Sequence, residues 1–203
     1  MGTARTLARA AFFTLVSISA SKGIGQVVHY GNCPIDLEVA ELPECAISTV
    51  NGHLYVKKRF AGDVFSGRVS GIAANPISVS GKRLASTMIP NDGWAYFDRT
   101  GLVVVQHIST FDSGADVFHY GLVSVNKGSK WGLADSTGRF IVPMRYDRLR
   151  YDDANSTWLA CTGCQIEVAG EHSWFTGGSW VRINVRGKVT SSVSDPNLQP
   201  NEK

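Results

Sequence analysis

Cys161-Thr162-Gly163-Cys164, with His172 downstream, is the part of this chain whose residue types and spacing could do chemistry. A Cys-x-x-Cys pair can hold a metal, run thiol–disulfide exchange or close a small disulfide ring. A structural zinc ion needs four ligands, commonly as two close pairs. Here Cys33 and Cys45 are widely spaced and His53, His107 and His119 are scattered, so no second pair completes a metal site. Redox catalysis needs a helix N-terminus or neighbouring cations to lower the thiol pKa, and no helical or βαβ pattern surrounds the motif. A structural disulfide is the expectation, with no metal and no cofactor.

Carboxylates come next. Asp98, Asp112, Asp135 and Asp147 recur at related places and Asp152-Asp153 follows. Two acids meeting across a cleft would suit glycoside hydrolysis, but recurrence at turn positions favours a structural role. The sequence has no Gly-x-Ser-x-Gly elbow, no glycine-rich loop before a helix and no His-Glu-x-x-His. The chain is therefore expected not to be an enzyme. Candidate partner-contact residues are Trp158 and Trp174, which stand outside the aromatic register described next, together with His172, Asp152 and Asp153.

The positioning elements announce themselves by repetition. Trp94-Ala95-Tyr96-Phe97-Asp98-Arg99-Thr100-Gly101 recurs as Trp131-Gly132-Leu133-Ala134-Asp135-Ser136-Thr137-Gly138 and more loosely as Trp180-Val181-Arg182-Ile183-Asn184-Val185-Arg186-Gly187. Each unit is a supersecondary element that buries its apolar face against its neighbours. Trp94, Gly101, Trp131, Gly138, Trp180 and Gly187 are thus expected to form the repeat core, the indoles packing between successive hairpins. The Asp-x-Thr-Gly turns pair an Asx-capable side chain with a residue that tolerates positive φ. Short β-branched runs such as Leu102–Ile108 and Arg139–Val142 read as strands. Upstream, Asn51-Gly52 signals a turn, and Leu54–Lys57 and Val64–Val69 read as two strands joined by Ala61-Gly62-Asp63. No apolar set keeps helical spacing for three turns, so the chain is predicted to be all-β.

At 203 residues and 43% hydrophobic, the chain suffices for one packed domain or two small ones. The first 25 residues, with Arg5 and Arg9 before an apolar run from Ala10 to Ala20, read as a signal peptide with cleavage between residues 19 and 25. Their removal leaves 17 basic residues against 17 acidic. A neutral protein without basic clusters lacks the footprint for nucleic acid. No second apolar stretch is long enough to span a membrane. The expectation is a periplasmic or secreted protein, with two disulfides. Three pairings are open, and Cys33–Cys45 with Cys161–Cys164 is preferred because each joins one local segment. The domain reading is an N-terminal β region over 26–90, a repeat domain over 91–190 and a flexible tail over 191–203.

The segment Phe118–Asp147, containing Gly121-Leu122-Val123-Ser124-Val125, then Gly128-Ser129-Lys130-Trp131-Gly132-Leu133-Ala134-Asp135 and Pro143-Met144-Arg145-Tyr146-Asp147, resembles a complete WG (KWG) repeat. The unit at Trp94 departs from that pattern at Ala95 and Gln106, and the unit at Trp180 keeps only Trp, Asn and Gly, as a degenerate cap would. The resemblance covers residues 90 to 190 and implies stacked β-hairpins. Size, export signal, disulfides and lack of catalytic motifs together suggest a non-catalytic protein that binds another protein. The specific form expected is a periplasmic immunity protein that neutralises a secreted antibacterial toxin. The competing expectation is an envelope carbohydrate-binding or hydrolytic protein using Trp158, Trp174 and a carboxylate cleft.

Overall fold

Two-residue turns with both central residues at positive φ organise much of the chain: Asn51-Gly52, Ser80-Gly81 and Tyr120-Gly121 each take the geometry that matches strand twist in a tight hairpin. The computed structural model describes residues 27–37, 41–69, 76–111 and 114–194. The expected signal peptide and the segment beyond residue 194 lie outside them. Strands β1 (Val27–His29) and β2 (Pro34–Asp36) pair antiparallel, as do β3 (Ile47–Val50) and β4 (His53–Val56) across the Asn51-Gly52 turn. A helix, α1 (Lys58–Phe65), follows. Then come β5 (Ile77–Val79), β6 (Lys82–Ile89), β7 (Gly93–Phe97), β8 (Val103–Ile108) and a two-stranded ribbon of β9 (Thr110–Phe111) and β10 (Gly114–Ala115). Strands β11 (Leu122–Lys127), β12 (Lys130–Asp135) and β13 (Phe140–Tyr146) complete a seven-stranded sheet of order β13-β12-β11-β8-β7-β6-β5. A second, four-stranded sheet of order β14-β15-β18-β19 consists of β14 (Arg148–Asp152), β15 (Thr157–Thr162), β18 (Ser179–Ile183) and β19 (Val189–Val193). Between β15 and β18 the chain makes a separate hairpin, β16 (Gln165–Ala169) with β17 (His172–Thr176). The described residues are thus mostly antiparallel strand, as predicted.

The helix α1 corrects one expectation. Leu54–Val56 is strand as read, within β4, but Val64–Val69 is not, because Phe60, Ala61 and Val64 share one helical face and are all buried. The helix closes on Ser66-Gly67: Gly67 N–H donates to the Val64 carbonyl at 3.1 Å and Arg68 N–H to the Asp63 carbonyl at 2.9 Å. Gly67 sits at φ 75°, completing a Schellman cap. Phe60 packs edge-on to Tyr30 and against Phe97, so α1 covers one face of the large sheet. On that sheet Ala85, Ala95 and Phe97 face the α1 cluster while Leu84, Trp94 and Tyr96 face the opposite one, following the two-residue period of a strand, and on β8 a register shift between Val103 and Val105 turns these two valines to opposite faces.

Each Trp-bearing phrase is the middle strand of a three-stranded unit. Trp94 lies between Met88 and Ile108, Trp131 between Asn126 and Tyr146, and Trp180 between Cys161 and Val193. At the far end of each middle strand the turn is built the same way. Asp98 Oδ1 accepts from Thr100 N–H at 2.8 Å and from the Thr100 hydroxyl at 2.6 Å; Asp135 Oδ1 accepts from Thr137 N–H at 2.8 Å and its hydroxyl at 2.5 Å; Asn184 Oδ1 accepts from Arg186 N–H at 2.9 Å. Each turn then packs on the preceding unit. A Cβ on Gly138 would lie 2.0 Å from the Val104 carbonyl oxygen, and one on Gly187 would lie 2.5 Å from a methyl of Ile141, the position equivalent to Val104. Gly101 packs the same way on Val56 of β4, so the β3–β4 hairpin takes the place of a preceding unit.

Two expected boundaries fall inside continuous structure. β6 pairs with β7 across residue 90, and β19 continues to Val193, past the expected start of the tail.

Candidate functional site

A cleft of about 370 Å³ opens where the two sheets meet, between Ser109, Thr110, Asp116, Val117 and His119 on one side and β14 on the other. Its floor is polar and buried. The Asp116 carboxylate accepts hydrogen bonds from the hydroxyls of Ser109 and Ser124 and, through Oδ1, from Val117 N–H at 2.9 Å. The two serine oxygens are also in direct contact with each other. Tyr96 donates its hydroxyl to the Asp116 carbonyl at 3.0 Å, and burial together with the Asp116 charge pushes the phenol well above its ordinary pKa. The His119 ring stacks on Tyr151 at 3.8 Å and meets the edge of Trp158 at 5.6 Å. No serine–histidine hydrogen bond is present among the described residues.

Arg148 forms the cleft's cationic wall. Its guanidinium lies 4.2 Å from the centroid of the Trp131 ring and 5.0 Å from that of Phe175, which the β16–β17 hairpin delivers from outside the repeat. Burial, then the like charge of Arg150, pushes its pKa down from the usual range, with Asp116 acting in the opposite sense. Among the described residues Arg148 makes no ion pair, whereas Lys130 pairs with Asp147, Arg139 with Asp135 and Arg182 with Asp152.

The hairpin's position depends on a clasp. Asp147 accepts from Lys130 Nζ on one side and from Gly163 N–H at 2.6 Å on the other. These bonds hold its carboxyl below the usual carboxylate range. Lys130 opens β12 and Asp147 follows β13, so the clasp ties the end of this strand pair to the Cys161 loop. Cys161 and Cys164 are disulfide-bonded, as are Cys33 and Cys45, in the pairing preferred from sequence. Gly178 fits against this loop so closely that a Cβ would lie 2.5 Å from Cys164 N.

The residues expected to contact a partner separate in space. Trp158 is fully buried, which corrects its reading as an exposed contact: it pairs with Tyr151 and Ile183 across the four-stranded sheet and faces the cluster of Leu149, Val142 and Ile183. Asp152 is engaged by Arg182 Nη1 and Asn155 Nδ2, both at 2.8 Å. Asp153 lines the cleft, Trp174 is half-buried on β17, and His172 occupies the first position of that strand. Of the core residues, Trp94 and Trp180 are buried as expected, while Trp131 is half-buried beneath Arg148. Sequence reasoning missed Ser109, Asp116, Ser124 and Arg148. The signal available was Arg148-x-Arg150, two like charges two apart on a strand, immediately after the repeat's closing Tyr146-Asp147.

Residues 131–155 match the family model described as WG containing repeat. That stretch supplies Trp131, Asp147, Arg148 and Arg150. No curated protein and no solved structure matches the chain.

Proposed function

We propose that this chain, which carries a WG repeat, is an exported, non-catalytic protein that binds another protein in the cleft between Asp116–His119 and β14. The observation that carries the reading is Arg148, held between Trp131 and Phe175 without an acidic partner among the described residues. A half-buried cation kept in one orientation by two rings is arranged for a contact from outside. The two disulfides fit an oxidising compartment, and among the described residues no helix is long and apolar enough to cross a membrane. The specific form of the proposal remains an immunity protein that blocks a secreted antibacterial toxin, motivated by the expected export signal and the disulfides. The carbohydrate reading loses support, since Trp158, one of its two aromatic platforms, is buried.

Site-specific photo-crosslinking in the producing cell tests this. Val117, half exposed at the cleft, and Val189, equally exposed on β19, would each be replaced in turn by a photoreactive residue. The expected result is one discrete protein adduct from position 117 and none from 189. Equal labelling from both positions, or none from 117, would remove the proposal.

A further inference from the structure

We infer that the cleft reads carboxylates: it takes an extended acidic stretch of the partner, seating Asp or Glu side chains on Arg148 and Arg150. This deepens the protein-binding reading above and rests on it.

Arg148 and Arg150 are two apart on β14, so both side chains leave the same face of the strand. Asp116 favours the charged Arg148 guanidinium from a distance but makes no ion pair with it, its carboxylate oxygens being taken by Ser109, Ser124 and Val117 N–H. Nor does Asp152, the next residue in the same alternation, since Arg182 and Asn155 hold it. Neither Arg148 nor Arg150 makes an ion pair among the described residues, Asp152 acting on Arg150 only at longer range, and Arg148 is partly desolvated. A buried cation is costly until an anion completes it.

The rings decide the geometry. With Trp131 and Phe175 against the guanidinium, its N–H edge is what remains for a ligand, and that edge fits the two oxygens of a carboxylate. The backbone decides the partner's shape. Among the described residues β14 is the outer strand of its sheet, pairing only with β15, so an incoming strand can run beside it. Acidic residues at alternate positions of that strand would match the Arg148–Arg150 spacing. Asp153, which lines the end of the cleft, repels a carboxylate there and sets the register. A polyuronate carries the same charge but would need free aromatic faces for its rings, and here Trp131 and Phe175 already support Arg148.

The test uses the full chain and a blocked five-residue peptide alternating valine and glutamate, with a glutamine-for-glutamate version and an oligogalacturonate as comparisons. Binding is read by calorimetry and by tryptophan fluorescence at low and high salt. The glutamate peptide should bind, more weakly as salt rises. Arg148→Gln should weaken it roughly tenfold, as expected for a lost charge-assisted pair, and Arg148→Lys should recover only part because the fork is gone. If Arg148→Gln fails to fold by circular dichroism, the exposed Arg150→Gln carries the test with a loss of about threefold. Equal binding of the glutamine peptide, no glutamate binding at millimolar concentration, or preference for the oligogalacturonate would overturn the inference. A position-117 crosslink that persists unchanged in Arg148→Gln would also overturn it while leaving the protein-binding reading intact. Absence of the crosslink in the unmodified cleft would instead remove that parent reading.

Discussion

A single Cβ decides how closely two units approach, and the repeat glycines show it. Gly52 and Gly138 share nearly the same positive φ, 78° and 82°, yet Gly52 has nothing within 4 Å of an added Cβ while Gly138 faces the Val104 carbonyl. Gly52→Ala should therefore cost about 1 kcal/mol, the left-handed penalty alone, and Gly138→Ala about 3 kcal/mol or more, since backbone must move as well. Gly187→Ala should fall between them, because its nearest neighbour is a methyl of Ile141 that can turn aside. Denaturant unfolding of the three variants checks the order, and equal losses at 52 and 138 would contradict the packing of turns on preceding units. The same logic explains the departure at Ala95. Opposite Gly132, β13 carries two extra residues between Val142 and Tyr146, and a Cβ would lie 2.5 Å from the Val142 carbonyl oxygen. Opposite Ala95, β8 carries one extra residue between Val105 and Ile108, and the alanine fits. Gly132→Ala is accordingly expected to lower the unfolding midpoint, whereas Ala95→Gly is not expected to relieve any crowding.

Between elements, Asp147 is the fastener, and its charge makes the fastening pH-dependent. Its folded pKa lies below the unfolded value of about 3.9 because the charged form accepts from Lys130 and Gly163 N–H. The ionised carboxylate thus stabilises the fold fully above that value, and the contribution is lost as pH falls from there through the lower folded pKa. Asp135 and Asp152 act in the same sense. Burial opposes their charge, but the Thr137 and Arg139 donors outweigh it at Asp135, and Asn155 and Arg182 do so at Asp152. Asp147→Asn should flatten the acid limb of stability against pH and leave the β16–β17 hairpin less protected in hydrogen exchange at neutral pH. An unchanged acid limb would show that the clasp does not hold the hairpin in solution. These elements were legible to different degrees. The Asx turns could be read because their chemistry is local to four residues. Helix α1 could not, because two turns with three buried residues fall short of a periodic signal, although Ser66-Gly67 marked its end. The cleft was least legible, since Ser109, Asp116, Ser124, Arg148 and Phe175 meet only through the junction of separate elements.

For the whole molecule, the repeat that is so plain in sequence does not mark where the fold divides. The resemblance begins near residue 90, but β6 pairs with β7 along five positions, from Ala85–Phe97 to Ile89–Gly93, and its side chains populate the clusters on both faces of the large sheet. The turn at Gly101 closes on β4, and Val56 N–H donates to the Gly101 carbonyl at 2.8 Å. The N-terminal region therefore caps the first repeat in the manner of a terminal unit, covering an apolar face that the repeats leave open. At the other end β19 replaces Val104 and Val105 of β8 with Thr190 and Ser191, which makes it a polar outer strand. A fragment of residues 91–194 would lose β3–β6 and α1, exposing Trp94, Tyr96, Phe97 and the edge of β7. It is expected to aggregate or to unfold without a cooperative transition, whereas the 26–194 protein should unfold cooperatively. Cooperative melting of the 91–194 fragment at a temperature near that of the longer protein would show that the repeats stand without their N-terminal cap.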